Sequence, residues 1–166
     1  MIFVVSDTHF SHANILKYCN RPFASVDDMD LALMENWNCA VKKDDIVYVL
    51  GDFAWKNAGM YADRLHGRKI LIIGSHDKRK QCEGHFSEIH DFGVEIKIDG
   101  QHITLCHYCL RTWPRSHYGS WHLYGHSHGN LPPIGLSMDV GVDCNAYAPV
   151  SWERVKEVMR NKLVPG

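Results

Sequence analysis

Short aliphatic runs alternate along the chain with segments whose apolar residues recur every three or four positions, which is the signature of strands interleaved with amphipathic helices. The first run is IFVV, residues 2–5. After it, Ser25 stands as an N-cap with Asp28 three residues on, and Val26, Met29, Leu33 and Trp37 repeat at helical spacing up to Val41. That pattern predicts a helix facing the core. Ile46–Leu50 reads as a second strand, Asn57–Leu65 as a short helix stopped near Gly67, and Ile70–Ile73 as a third strand. Val94, Ile96 and Ile98 then alternate with polar residues into an Asp99-Gly100 turn, and Ile103–Cys106 is the return strand of a hairpin. Two more runs follow, Trp121–Tyr124 and Met138–Val142, before Ser151 caps a final helix with Trp152, Val155, Val158 and Met159 on its apolar side.

No repeat, low-complexity tract or Pro/Gly-rich linker divides this pattern. The 166 residues, 45% of them hydrophobic, suit a single domain over residues 1–166 with a core of two or three layers. A formal charge of -1 leaves no global basic field, so an anionic substrate has to be attracted locally. The opening MIFVV is too short for a signal sequence, and no apolar stretch approaches membrane-spanning length. A soluble, cytoplasmic chain without a membrane partner is the expectation. Six scattered cysteines predict reduced thiols. Cys106 and Cys109 form a C-x-x-C that lacks a second pair and a strand-to-helix redox setting, so they read as small buried hydrophobes. The twelve histidines point towards chemistry that uses imidazole.

The metal-capable residues fall at strand exits. Asp7 and His9 follow IFVV, Asp52 follows the second run and Gly51, and Ser75, His76 and Asp77 follow the third and Gly74. His107 follows ITLC, and His126 and His128 follow the Trp121–Tyr124 run and Gly125. Ligands gather outside the carboxyl ends of strands in open sheets, so the five exits are predicted to meet on one rim. Singly, an aspartate after a strand is as often a turn former, and a lone histidine is more often packed or exposed. The pairs Asp7/His9 and His126/His128 say more, because residues two apart on an extended segment project the same way. Mixed carboxylate and imidazole ligands suit borderline divalent ions such as manganese, iron, zinc or cobalt.

In this order Asp7-Thr8-His9, Gly51-Asp52, Gly74-Ser75-His76-Asp77, His107 and Gly125-His126-Ser127-His128 resemble the calcineurin-like metallophosphoesterases. The stretches SDTHFSHANI and SHYGSWHLYGHSHG look like a compact bacterial or phage-borne branch of that family. One position departs: Ser75 stands where the family has asparagine. The resemblance implies an α/β fold, a four-layer αββα sandwich of two mixed β-sheets covered by helices, with a dinuclear centre at one edge. It assigns Asp7, His9 and His128 to one ion, His107 and His126 to the other with Ser75 in a further ligand position, and Asp52 to both. The implied cofactors are two divalent ions, manganese first, with iron, zinc, cobalt or nickel as alternatives. Such a pair holds a phosphoryl group and activates water for in-line displacement, so no protein nucleophile is needed. His76 falls beside the leaving oxygen as proton donor or charge stabiliser, with Asp77 orienting its ring.

Substrate contacts are sought next to these blocks: His12, Asn14 and Arg21 after the first, and Arg111, Trp113 and His117 after His107. Arginine would grip phosphate bidentately and Trp113 would stack a base. A domain without a large cap leaves its site open, which favours a phosphodiester: a nucleotide, a cyclic nucleotide or a nucleic-acid end. The alternatives are a phosphomonoesterase, a weakened or inactive metal-binding scaffold suggested by Ser75, and a structural zinc protein. The last needs one closed four-ligand site, which this ligand set exceeds.

Overall fold

The computed structural model describes residues 1–163. In chain order it runs β1 (Ile2–Val5), α1 (Ile15–Tyr18), α2 (Val26–Ala40), β2 (Ile46–Val49), α3 (Ala58–Arg64), β3 (Arg68–Ile72), α4 (Arg79–Cys82) and β4 (Glu88–His90). It continues with β5 (Gly93–Ile98), β6 (Gln101–Cys106), β7 (Trp121–Tyr124), β8 (Ser137–Asp139), β9 (Val150–Ser151) and α5 (Trp152–Leu163). Two mixed sheets result, ordered β4-β3-β2-β1-β9 and β5-β6-β7-β8. β1, β2, β3 and β4 are mutually parallel and β9 is antiparallel to β1. In the second sheet β5 and β6 form the antiparallel hairpin, while β6, β7 and β8 run parallel.

Alternation along the first sheet divides the interior in two. Phe3, Val5, Val47, Val49 and Leu71 face α2 and α3, meeting Met29, Leu33, Trp37, Tyr61 and Ala62. Val4, Leu50 and Ile72 face the second sheet, where Ile103, Leu105, Trp121, Leu123 and Met138 complete a core joined by Trp152, Val155 and Met159 of α5. The molecule is thus an α/β sandwich of two mixed sheets with helices, and it matches the expected fold class. Outside β7 the covering is loop 107–120, whose Trp113 packs on His122 at 5.3 Å between ring centroids. Among the described residues no helix is long and apolar enough to cross a membrane. All six cysteines are free thiols.

Most predicted elements form where the periodicity put them. Ser25 accepts a hydrogen bond from the Asp28 N–H at 3.1 Å, so the cap of α2 is as expected. β3 starts two residues before its predicted limit because Lys69 is an internal strand position, its ammonium donating to the Leu65 and Gly67 carbonyls at 2.7 and 2.8 Å. The run Met138–Val142 leaves the second sheet after Asp139. Val140 and Val142 there pair with the Ser6 backbone at 3.2 and 3.1 Å, joining the end of β8 to the end of β1.

Candidate metal centre

Because β1, β2 and β3 are parallel, their exits share one end of the first sheet; β6 and β7 bring two more exits to the same seam. The exits curl rather than continue as strand. Five of the twelve described non-glycine residues with positive φ are Asp7 (59°), His9 (51°), Asp52 (51°), His126 (66°) and His128 (47°). The expectation that Asp7/His9 and His126/His128 project alike from extended segments is therefore corrected: left-handed backbone aims each side chain separately. Backbone pairing holds the curl, with Asp7 N–H on Gly51 O at 3.1 Å and His9 N–H on Asp52 O at 2.9 Å. Gly51, at φ 81°, sits so close to Gly74 that an added Cβ would lie 2.5 Å from its Cα. The exits of β2 and β3 can touch only as glycines.

Asp7, His9 and His128 bring one ligand atom each within 4.8 Å of one another. Behind them, His128 Nδ1 donates to Asp143 at 2.7 Å, and Asp143 accepts two bonds from the Arg21 guanidinium, both at 2.8 Å. With Nδ1 tied to a carboxylate, His128 presents Nε2 as its lone-pair nitrogen. His9 Nδ1 lies 3.3 Å from His12 Nδ1, and His9 Nε2 is a buried polar atom with no hydrogen-bond partner. An orphaned imidazole nitrogen that deep is costly unless something binds it. Cys19 lies within reach of His128 and Asp143, but Asp143 is already committed to His128 and Arg21.

Asp52, His107 and His126 form the second group. His107 Nδ1 donates to Leu50 O at 2.7 Å, which frees Nε2 to face Asp52 Oδ2 at 3.4 Å and His126 Nδ1 at 3.1 Å. Asp52 Oδ2 is also 3.7 Å from His9 Nε2, so this carboxylate of the second group faces the first as well. Its Oδ1 accepts the His76 N–H at 2.9 Å, and the Ser75 hydroxyl donates to Oδ1 and Oδ2 at 3.2 and 3.1 Å. His76 reaches to within 4.0 Å of Asp52 Oδ2, with its side chain 42% exposed. Asp77 does not orient that ring. Its oxygens accept the backbone N–H groups of Asp52, Gly74 and Phe53 at 2.8, 2.8 and 2.9 Å, and it serves as a clamp between the β2 and β3 exits.

Burial pushes the Asp7 carboxyl up to about 7, against the opposing pull of His128 and His107. It pushes the His9 imidazolium down to about 3. Burial also opposes ionisation of Asp52, but the hydrogen bond and charge of His107, the His76 N–H and His9 outweigh it and hold the carboxyl below the usual range. For His107 and His128 desolvation is likewise overcome, by Asp52 and by Asp143, and both are raised. Buried carboxylates facing imidazoles whose far nitrogens are already bonded make a donor set fit for divalent cations of the borderline kind.

Above the two groups opens a cavity of about 690 Å³, lined by His9, His12, Asn14, Tyr18, Asp52, Trp55, Lys56, His76, His126 and His128 among others. Two of the six expected substrate contacts, His12 and Asn14, are in its wall. Arg21 is not a phosphate clamp. Its guanidinium is buried, spending itself on Asp143 and on the Asp7 and Thr8 carbonyls at 2.6 and 3.0 Å. Trp113 is buried too, its indole N–H donating to Ser120 O at 3.0 Å, so it cannot stack a base. Arg111 and His117 are exposed and lie outside the cavity lining. Sequence reasoning missed Asp143 and Trp55. Asp143 directly follows Val142, the last residue of a predicted strand, so the strand-exit rule would have found it. Trp55 carried no such signal.

No protein-family model matches the chain. The uncharacterized protein MJ1445 of Methanocaldococcus jannaschii is 38% identical over 176 aligned positions, covering 98% of this chain and 94% of that protein. The gene 66 protein of Mycobacterium phage D29 is 36% identical over 83 positions, 46% of this chain and 40% of the phage protein. Among solved structures, the protein of unknown function AQ665 from Aquifex aeolicus superposes with a TM-score of 0.78 at 26% identity, covering 95% of this chain and 98% of its own. An archaeal phosphodiesterase superposes with a TM-score of 0.51 at 18% identity over 84% and 81% of the two chains, a likeness of fold alone.

Proposed function

We propose a function from the premise that this chain belongs to the same family as the M. jannaschii protein MJ1445: it is a metal-dependent phosphoesterase that hydrolyses phosphodiesters with water as nucleophile. One observation carries the reading, the placing of Asp52, a member of one donor group, within 3.7 Å of His9 of the other at the floor of an open cavity. Asp7, His9 and His128 would hold one divalent ion, and His107 and His126 the other, with Asp52 shared and Ser75 beside it. Manganese is our first assignment, iron, zinc, cobalt and nickel following. Bound there, the ions would supply positive charge to the phosphoryl oxygens and acidify the attacking water.

The remaining work falls to the chain. His76 stands at the cavity with its backbone fixed on Asp52 and its ring 5.4 Å from Trp55 and 5.9 Å from His12. In that place it gives a proton or a hydrogen bond to the leaving oxygen. Asp77 sets the height of the β2 and β3 exits and so keeps Asp52 and His76 in register. Arg21 and Asp143 hold the His128 tautomer. A cytoplasmic location belongs to the same reading and agrees with the six free thiols.

The test is metal analysis of purified protein beside hydrolysis of bis-(p-nitrophenyl) phosphate and of the corresponding monoester with added manganese. Two ions per chain and faster turnover of the diester are expected. Faster monoester turnover would make it a phosphomonoesterase. Two bound ions without hydrolysis of either ester would make it a scaffold, the reading favoured by the Ser75 hydroxyl bonded to Asp52 where the family has an amide.

A further inference from the structure

Trp55 is the largest side chain exposed at the cavity, and no metal or catalytic role accounts for it. It follows Asp52 by three residues on the β2 exit, and its backbone N–H is fixed to Phe10 O at 2.8 Å. One face lies on the His12 ring, 4.5 Å between centroids and 12° from parallel. The residue is nevertheless 44% exposed, and Tyr18, 72% exposed, stands edge-on to His12 at 6.3 Å. An indole held flat by a buried imidazole has little freedom left to lose, which is how a stacking platform is built.

Trp55, Lys56 and His76 line more than the cavity. The same three residues line a second cleft of about 160 Å³, completed by Lys78 and Gln81. Arg79 beside it is bound to Asp91 and Glu83, whereas Lys56 and Lys78 make no ion pair among the described residues. Their ammonium groups are the local positive charge that a chain of net charge -1 would need in order to attract a polyanion. A planar ring on Trp55 would lie between the donor groups at the cavity floor and the ammonium groups of Lys56 and Lys78, each a place for a phosphate. A repeating alternation of rings and phosphates is the chemistry of a nucleotide strand.

We infer that the substrate is single-stranded nucleic acid bound near its end, one base stacked on the Trp55–His12 wall and the adjoining phosphate held by Lys56 and Lys78. This rests on the phosphodiesterase reading above and names its substrate class. A fluorescent phosphorothioate oligothymidylate, which resists hydrolysis, is titrated by anisotropy into manganese-loaded wild type, Trp55→Ala, Trp55→Phe and Lys78→Ala. Trp55→Ala should weaken binding about tenfold or more, and Trp55→Phe should restore most of it. Lys78→Ala should lower the slope of log Kd against log salt by ~0.7, the loss of one single-strand phosphate contact. Wild type should bind the oligonucleotide more tightly than a thymidine mononucleotide. Equal binding by all four proteins, or a mononucleotide bound as tightly as the strand, overturns the inference while leaving hydrolysis of bis-(p-nitrophenyl) phosphate to uphold the phosphodiesterase. Length-dependent, Trp55-dependent binding in a protein that cleaves no ester does the reverse.

Discussion

The two halves of the candidate metal centre are built to different standards. Asp7 and His9 are buried, and His128 is held from behind by Asp143, itself bonded to Arg21. The other half has the same number of donors, but His126 is exposed, its ring packed on those of His107 and Tyr108 at 4.9 Å each. Its neighbour Ser75 offers a hydroxyl already turned towards Asp52. Outer hydrogen bonds fix ligand orientation and tautomer, so the buttressed half should retain its ion and the open half should exchange it. The reaction would then happen where one firm site and one yielding site share Asp52.

Asp52→Asn attacks what the halves have in common. It should lower ion occupancy in both and reduce diesterase turnover by more than the 10–100-fold typical of losing an outer-shell partner; two retained ions would refute the sharing. His76→Ala leaves both halves intact and should reduce turnover by on the order of 10²–10⁴ with metal content unchanged, whereas loss of metal would remove His76 from the catalytic role. Asp143→Asn tests the buttress: titration calorimetry should show the tighter ion weakened by about 10–100-fold and the looser one hardly moved. Stepwise chelation of wild type should release the ion of the open half first, with loss of turnover but without unfolding, and unfolding would favour a structural zinc protein. The smallest effect belongs to Ser75→Asn. A hard amide oxygen there should tighten the looser ion and raise turnover several-fold, and equal affinity and turnover in the two forms would remove Ser75 from the ligand set.

Much of this was legible before any coordinates. α2 shows its cap, its face and its end because fifteen residues give the helical period room to repeat. α1, α4, β4 and β9 have four, four, three and two residues, too short for any period, and are positioned by neighbours instead. The donors were readable because the parallel topology converts strand order into spatial convergence. Roles depending on where a side chain turns were not. Arg21 and Asp77 sit among the right residues and Trp113 outside them, but each is occupied by nearby backbone, a choice made by packing that residue type does not reveal. Trp55 escaped for the opposite reason, as an aromatic residue left in the open.

The left-handed backbone at Asp7, His9, Asp52, His126 and His128 bears on how this protein responds to heat and to selection. Each positive φ without a glycine stores on the order of 1 kcal/mol. Glycine at any of these positions would relieve that cost while deleting a donor. A library screened for melting temperature alone should therefore be enriched in replacements at the very positions proposed to hold the ions, and, if the proposed hydrolysis is right, its hardiest members should be the ones that cleave least.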